Sequence, residues 1–162
     1  MQSVRQPISG SPLIIISHRG NLYGPDPERE NKVASILSCI EMGFEVEIDC
    51  YYIDGEFYLG HDSPEEKITI DFLLQHINKL WVHAKSLETL TQLLNWPQIN
   101  CFFHDKDDYT LTSLRYIWGN KKVASNNKCV MVMDGKDYCS DCFGICTDYP
   151  VLSLLKRNRD QV

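Results

Sequence analysis

The chain has 162 residues, 43% of them hydrophobic and 23% charged, with a formal net charge of −6 and a pI near 5.3. That is enough chain for one core, read as a single domain over residues 1–162, and the acidic balance argues against nucleic acid or anionic lipid as partners, so any phosphate must meet a local positive site. No window approaches the roughly 20 apolar residues of a membrane span, and the run Leu13–Ile16 is too short for a secretory core, which predicts a soluble, cytoplasmic protein without stable membrane insertion.

Short apolar runs recur along the chain: PLIIIS, FEVEIDCYYI, EFYLG, KLWV, INCFF, KCVMVM and FGIC. Each reads as a strand. Between them, Val33, Ile36, Leu37 and Ile40 repeat at helical spacing, as do Leu87, Leu90, Leu93 and Leu94, while Phe72 to Ile77 and Val151 to Leu155 predict two shorter helices. Asp54 and Gly55 sit between two aromatic arms and predict a hairpin. Strands alternating with helices predict a parallel sheet with crossover connections. The N-terminal ten residues and the tail KRNRDQV are expected to be loosely held.

Where the strands end, ionisable residues collect. LIIIS runs into His18 and Arg19, FEVEI into Asp49, YLG into His61 and Asp62, LWV into His83 and Lys85, CFF into His104 and Asp105, VMVM into Asp134, and GIC into Thr147 and Asp148. In a parallel sheet those ends open on one face, so distant side chains can converge there. His76, inside a helical pattern, stands apart. Period-two alternation places Glu45, Glu47 and Asp49 on one face of their strand, with Val46 and Ile48 on the other. If that face is buried, three neighbouring carboxylates demand a cation, either a divalent metal or a fixed Lys or Arg; if it is an exposed edge, water suffices. Oxygen ligands favour Mg²⁺ or Ca²⁺.

HRG at 18–20, EN at 30–31, E-I-D at 47–49, HD at 61–62 and GICTDYP at 144–150, in that order along nearly the whole chain, resemble the glycerophosphodiester phosphodiesterase family, among the phospholipase-C-like phosphodiesterases. The resemblance implies an α/β fold: a shortened or incomplete TIM-like (β/α) barrel with a β-hairpin insertion after the second strand. It implies His18 and His61 as the acid/base pair, Arg19 on phosphate, and Glu30, Glu47 and Asp49 as ligands of a divalent ion, Mg²⁺ or Ca²⁺ first and Mn²⁺ or Zn²⁺ as alternatives. Asp62 would orient His61. The implied reaction is metal-dependent cleavage of a small glycerol-type phosphodiester, through or ending at a cyclic phosphate; a binding module that has lost turnover is the alternative. The residue types suit that chemistry, which needs proton transfer at both oxygens and positive charge on the non-bridging ones.

The chain departs from the family pattern twice. The family carries Glu-x-Lys at the end of a middle strand, where WVHAK has His83 and Lys85, so His83 either ligates the ion or, with Lys85 and His104, contacts substrate. A full barrel of this kind takes ~250 residues with ~200 as a lower bound, so the ring must be abridged. Three cysteines in CSDCFGIC, Cys139, Cys142 and Cys146, are zinc ligands lacking a fourth, a redox pair, or three small buried hydrophobes. Asp105, Asp107 and Asp108, around His104, are further site residues, a second cation site or a solvated loop. Tyr52, Tyr58, Tyr116 and Trp118 line a binding wall or pack the core.

Overall fold

A computed structural model describes residues 13–121, 123–134, 139 and 141–159. The ten N-terminal residues expected to be loose, and the last three of the tail, lie outside the described residues. Among the described residues the chain forms ten strands and four helices. The parallel strands are β1 (Ile14–His18), β2 (Glu45–Ile53), β5 (Leu80–Ala84), β6 (Cys101–Phe102), β8 (Ile117–Gly119), β9 (Cys129–Met133) and β10 (Gly144–Thr147), in the spatial order β6-β5-β2-β1-β10-β9-β8.

Three short strands run antiparallel to their neighbours: β3 (Glu56–Leu59) on β2, β4 (Glu66–Ile68) on β3, and β7 (Tyr109–Leu111) on β8. The β2–β3 turn is Asp54-Gly55, both at positive φ (51° and 85°) as a tight hairpin of right-handed twist requires. The helices are α1 (Val33–Glu41), α2 (Ile70–Gln75), α3 (Leu87–Leu93) and α4 (Pro150–Arg159).

The expectation of a shortened TIM-like barrel is therefore corrected: the architecture is a curled mixed sheet, a half-barrel, without the alternating β/α units of a TIM barrel. The reason lies in the connections. Among the described residues no helix stands between β6 and β10. The segment after β6 turns back as β7, and residues 120–128, a polar stretch, lead from β8 to β9 without an apolar helical stripe. The strands β4, β7 and β8 escape the sequence reading because each is three residues long, too short to show a period.

Alternation sorts the side chains into two cores. On the outer face Ile15, Val46, Ile48, Val82 and Leu59 pack with Ile36, Leu73 and Leu93 of the helices. On the concave face Ile16, Trp81, Phe102, Tyr116, Trp118, Val130 and Cys146 fill the curl. Rings do there what an unbroken ring of strands would otherwise do: Phe102 of β6 stacks on Trp118 of β8 at 4.5 Å between centroids, joining the two ends of the parallel run. Tyr116 and Trp118 thus belong to the core, and Trp118 also meets Trp81 at 5.8 Å. In the tail, α4 extends through Lys156 and Arg159, and Arg157 Nη1 donates to the Leu13 carbonyl at 2.8 Å.

Candidate functional site

Above the aromatic floor, the same inward alternation continues with polar residues. Registers His18↔Glu47 and Asp49↔His83 put β1, β2 and β5 side by side with their ionisable groups on the concave face. Glu45 opens β2, its carboxylate held by the Trp81 indole at 2.7 Å. Glu47 and Asp49 follow towards the rim, 3% and 1% exposed, so the acidic strand face is buried and water does not neutralise it.

A loop clamps this strand from the side. Arg19 N–H donates to the Glu47 carbonyl at 2.9 Å, and Asn31 N–H to the Arg19 carbonyl at 2.9 Å. The Asn31 amide then donates to Asp49 Oδ2 and its carbonyl oxygen accepts the Asp49 N–H, both at 2.9 Å. Arg19 and Asn31 both sit at positive φ (55° and 53°), a conformation costing roughly 1 kcal/mol or more for a residue with a Cβ. That strain is localised where the loop meets the two carboxylates.

Asp49 is surrounded by donors. Besides Asn31, His83 Nδ1 lies 3.0 Å and Lys85 Nζ 3.4 Å from Oδ1, and Arg19 Nε 3.3 Å from Oδ2, though out of line for a hydrogen bond. Burial alone would raise its pKa, but the His83 hydrogen bond and the Lys85 charge hold it well below the usual carboxylate range. Glu47 is the opposite case. Its Oε2 has no hydrogen-bond partner; the imidazole nitrogens facing the carboxylate are His83 Nδ1, 3.8 Å from Oε1, and His18 Nε2, 3.9 Å from Oε2. Burial and the adjacent Asp49 charge push its pKa up.

His18 is oriented by a residue the motif reading left without a role. Its Nδ1 lies 2.8 Å from Asp148 Oδ1, which also accepts from the Asn21 amide at 2.9 Å, leaving His18 Nε2 towards Glu47. Burial lowers the His18 pKa, but the Asp148 hydrogen bond and the Glu47 charge outweigh it and the net shift is upward. The signal was present in the sequence: Asp148 stands at the end of β10, as His18 does at the end of β1. Asn21, also missed, ties Asp148 to Glu30 Oε1, to which it donates at 2.9 Å.

The other expected residues divide. Glu30 accepts from Arg19 Nη1 at 3.2 Å as well as from Asn21. The Arg19 guanidinium is thereby turned to the carboxylates Glu30 and Asp49. Lys85 and His83 face Asp49. His61 follows Gly60, whose N–H donates to the Asp49 carbonyl at 3.2 Å, so it stands on the same rim; its ring is 38% exposed and pairs with the exposed Asp62 at 2.7 Å. Tyr51 OH donates to the His61 carbonyl at 3.0 Å. His104 enters through its backbone, its carbonyl accepting from His83 Nε2 at 3.0 Å, while its ring lies 6.4 Å from that of His83. Asp105, Asp107 and Asp108 are exposed. His76 ends α2 and packs against Phe72.

Among the described residues, Glu47, Asp49 and His83 make a group of metal-ligating side chains, with ligand atoms all within 4.8 Å of one another. The donors fit a divalent ion: two buried carboxylates, one oxygen without a partner, and an imidazole nitrogen beside them. Among the described residues the cysteines form no such group. Cys146 belongs to the concave core, and Cys142 and Cys139 to the outer one, where Cys142 Sγ donates to the Cys139 carbonyl at 3.4 Å.

No protein-family model matches this chain, and no curated protein or solved structure matches it. The likeness to glycerophosphodiester phosphodiesterases rests on its motifs. No helix among the described residues is long and apolar enough to cross a membrane.

Proposed function

We propose that this chain is a metal-dependent phosphodiesterase that cleaves a small glycerol-type phosphodiester at the rim formed by β1, β2 and β5. The observation that carries the reading is His18: Asp148 fixes its Nδ1, so Nε2 is the atom left to exchange a proton, next to a buried carboxylate pair ringed by Arg19, Lys85 and His83. Proton transfer by a positioned imidazole and concentrated positive charge on the phosphoryl oxygens are what this reaction requires.

The raised pKa of His18 suits it to hold the proton destined for the leaving alkoxide, and His61, on the same rim, takes the proton of the attacking hydroxyl. Lys85 and the Arg19 guanidinium bind the non-bridging oxygens. A divalent ion, when bound, supplies Lewis-acid polarisation of the phosphate. Attack by a substrate hydroxyl gives a cyclic phosphate, which water then opens or which leaves as product. Seven free cysteines fit a reducing compartment, and we place the protein in the cytoplasm, with a small phosphodiester rather than nucleic acid as its ligand.

A second reading, a phosphate-ligand binding module without turnover, draws on His61, which is more exposed than His18 and supported by the 93%-exposed Asp62. Purified protein assayed on bis(p-nitrophenyl) phosphate and on glycerophosphodiesters, with product detection by ³¹P NMR, separates the readings. The enzyme reading expects turnover that falls about 10²–10⁴-fold in His18→Ala. Equal residual rates in the two proteins with every metal tried would leave only the binding module.

A further inference from the structure

We infer that Glu47, Asp49 and His83 form a mixed oxygen–nitrogen site for a first-row transition-metal dication such as Mn²⁺ or Zn²⁺, with Glu30 outside the ligand set. The inference deepens the phosphodiesterase reading, on which its catalytic use rests, while the binding itself does not.

His83 is prepared as a ligand. Its Nε2 lies 3.0 Å from the His104 carbonyl, which can only accept, so Nε2 carries the hydrogen. Its ring is stacked on Phe102 at 5.2 Å with an interplanar angle of 3°, which fixes the plane. The Nδ1 atom is thereby aimed at Asp49 Oδ1, 3.0 Å away, and Glu47 Oε1, 3.8 Å away. Metal-bound histidines commonly donate their other ring N–H to a backbone carbonyl, which sets tautomer and orientation as here. Independently, Glu47 Oε2 is a carboxylate oxygen in a side chain 3% exposed and without a hydrogen-bond partner, His18 Nε2 stopping 3.9 Å away, beyond hydrogen-bond reach. An ion between these atoms replaces the missing donor and takes the place of any proton on Nδ1.

Glu30, which the family resemblance makes a ligand, is committed elsewhere: one oxygen accepts from Arg19 Nη1 and the other from Asn21. One imidazole nitrogen among the protein donors favours Mn²⁺ or Zn²⁺ over Mg²⁺ and Ca²⁺, which take oxygen ligands.

The test uses the full chain, stripped with chelator and desalted, without substrate. Mn²⁺ is the primary probe, followed by its free-ion electron paramagnetic resonance signal, because free thiols compete for Zn²⁺. One Mn²⁺ per chain is expected, not displaced by equimolar Mg²⁺. His83→Gln, which keeps a donor for the His104 carbonyl, should weaken Mn²⁺ binding at least about tenfold, His83→Glu should restore competition by Mg²⁺, and Glu30→Gln should leave Mn²⁺ binding unchanged. Glu47→Gln, nearly isosteric, serves as a second ligand variant, with circular dichroism checking the fold of each. Absence of Mn²⁺ uptake, free exchange with Mg²⁺, indifference to His83→Gln, or a loss in Glu30→Gln equal to that in Glu47→Gln would each overturn the site. A chain that binds Mn²⁺ in this pattern but cleaves no phosphodiester keeps the site and loses the enzyme; one that cleaves with Mg²⁺ or Ca²⁺ and takes up no Mn²⁺ does the reverse.

Discussion

The two walls of the curled sheet are built differently. On one side α1 and α3 pack on β2, α3 also covers β5 and β6, and α4 lies on β1. On the other, β7, β8 and β9 follow one another without an intervening helix among the described residues, and a groove of about 410 Å³ opens along Tyr109, Leu111, Ile117 and Cys129. The helix-backed wall carries His18, Glu47, Asp49 and His83 at the ends or inner faces of its strands. Among the described residues no carboxylate, imidazole or basic side chain lines the groove of the bare wall. Holding buried like charges side by side takes a backbone that cannot relax away from them, and strands pinned between a helix layer and an aromatic core meet that need.

The largest test of the contrast compares Asn31→Ala with Leu111→Ala. Asn31, 1% exposed, makes two hydrogen bonds to Asp49, one of them to its carboxylate, and its loss leaves the Asp49 N–H buried without a partner. A cost of about 3 kcal/mol or more is expected in urea unfolding. Leu111, 65% exposed on β7, should change stability by no more than about 0.5 kcal/mol. Equal losses would mean that the backed wall is not the more tightly specified one.

The backed wall was also the more legible in sequence. Its strands are long enough to show a period, and Glu45, Glu47 and Asp49 announced their shared face by alternation alone. The helical stripes at Val33–Ile40 and Leu87–Leu94 fall on α1 and α3 for the same reason. What is not legible is the bare wall: the three-residue β7 and β8 leave no pattern, and the expectation of a shortened or incomplete TIM-like barrel gives way to a half-barrel of mixed strands. In the site, residue types at strand ends mark His18, His61 and His83 for attention, but not the partners that His18 and His83 meet. That Asp148 serves His18, and that the His104 carbonyl rather than its ring serves His83, depends on contacts 130 and 21 residues apart in sequence. No local pattern encodes them.

A smaller effect sharpens the comparison at the rim itself. Gly60, at φ 154°, closes β3 against Asp49, and a Cβ there would stand 1.9 Å from the Ser63 carbonyl oxygen, backbone that cannot swing aside. Gly60→Ala should cost about 1–3 kcal/mol and move His61 relative to Asp49. Gly55→Ala, in the open at the far end of the same hairpin, meets nothing within 4 Å, so only its φ of 85° is strained and a milder loss is expected. Differential scanning calorimetry of the pair reads the difference, and equal transition temperatures would show that the rim is free to relax.

The smallest effect tests how the backed wall sets its protonation. His18 has a raised pKa and its partner Asp148 a lowered one; in each, burial works the other way and is outweighed, in His18 by the Asp148 hydrogen bond and in Asp148 by the hydrogen bond from His18. The two shifts bound a window. The His18 contribution to stability is fully present below the unfolded histidine pKa of about 6.5 and is lost as pH rises through the raised folded value. The Asp148 contribution is present above the unfolded aspartate pKa of about 3.9 and is lost only as pH falls through the lowered folded value. Between them lies the range where the pair contributes most. Asp148→Asn removes the negative charge but can still accept from Nδ1, so the fold should survive with the His18 pKa moved down, as followed by the imidazole proton shifts in NMR. An unmoved His18 titration in that variant would mean that Glu47, and not Asp148, sets its charge.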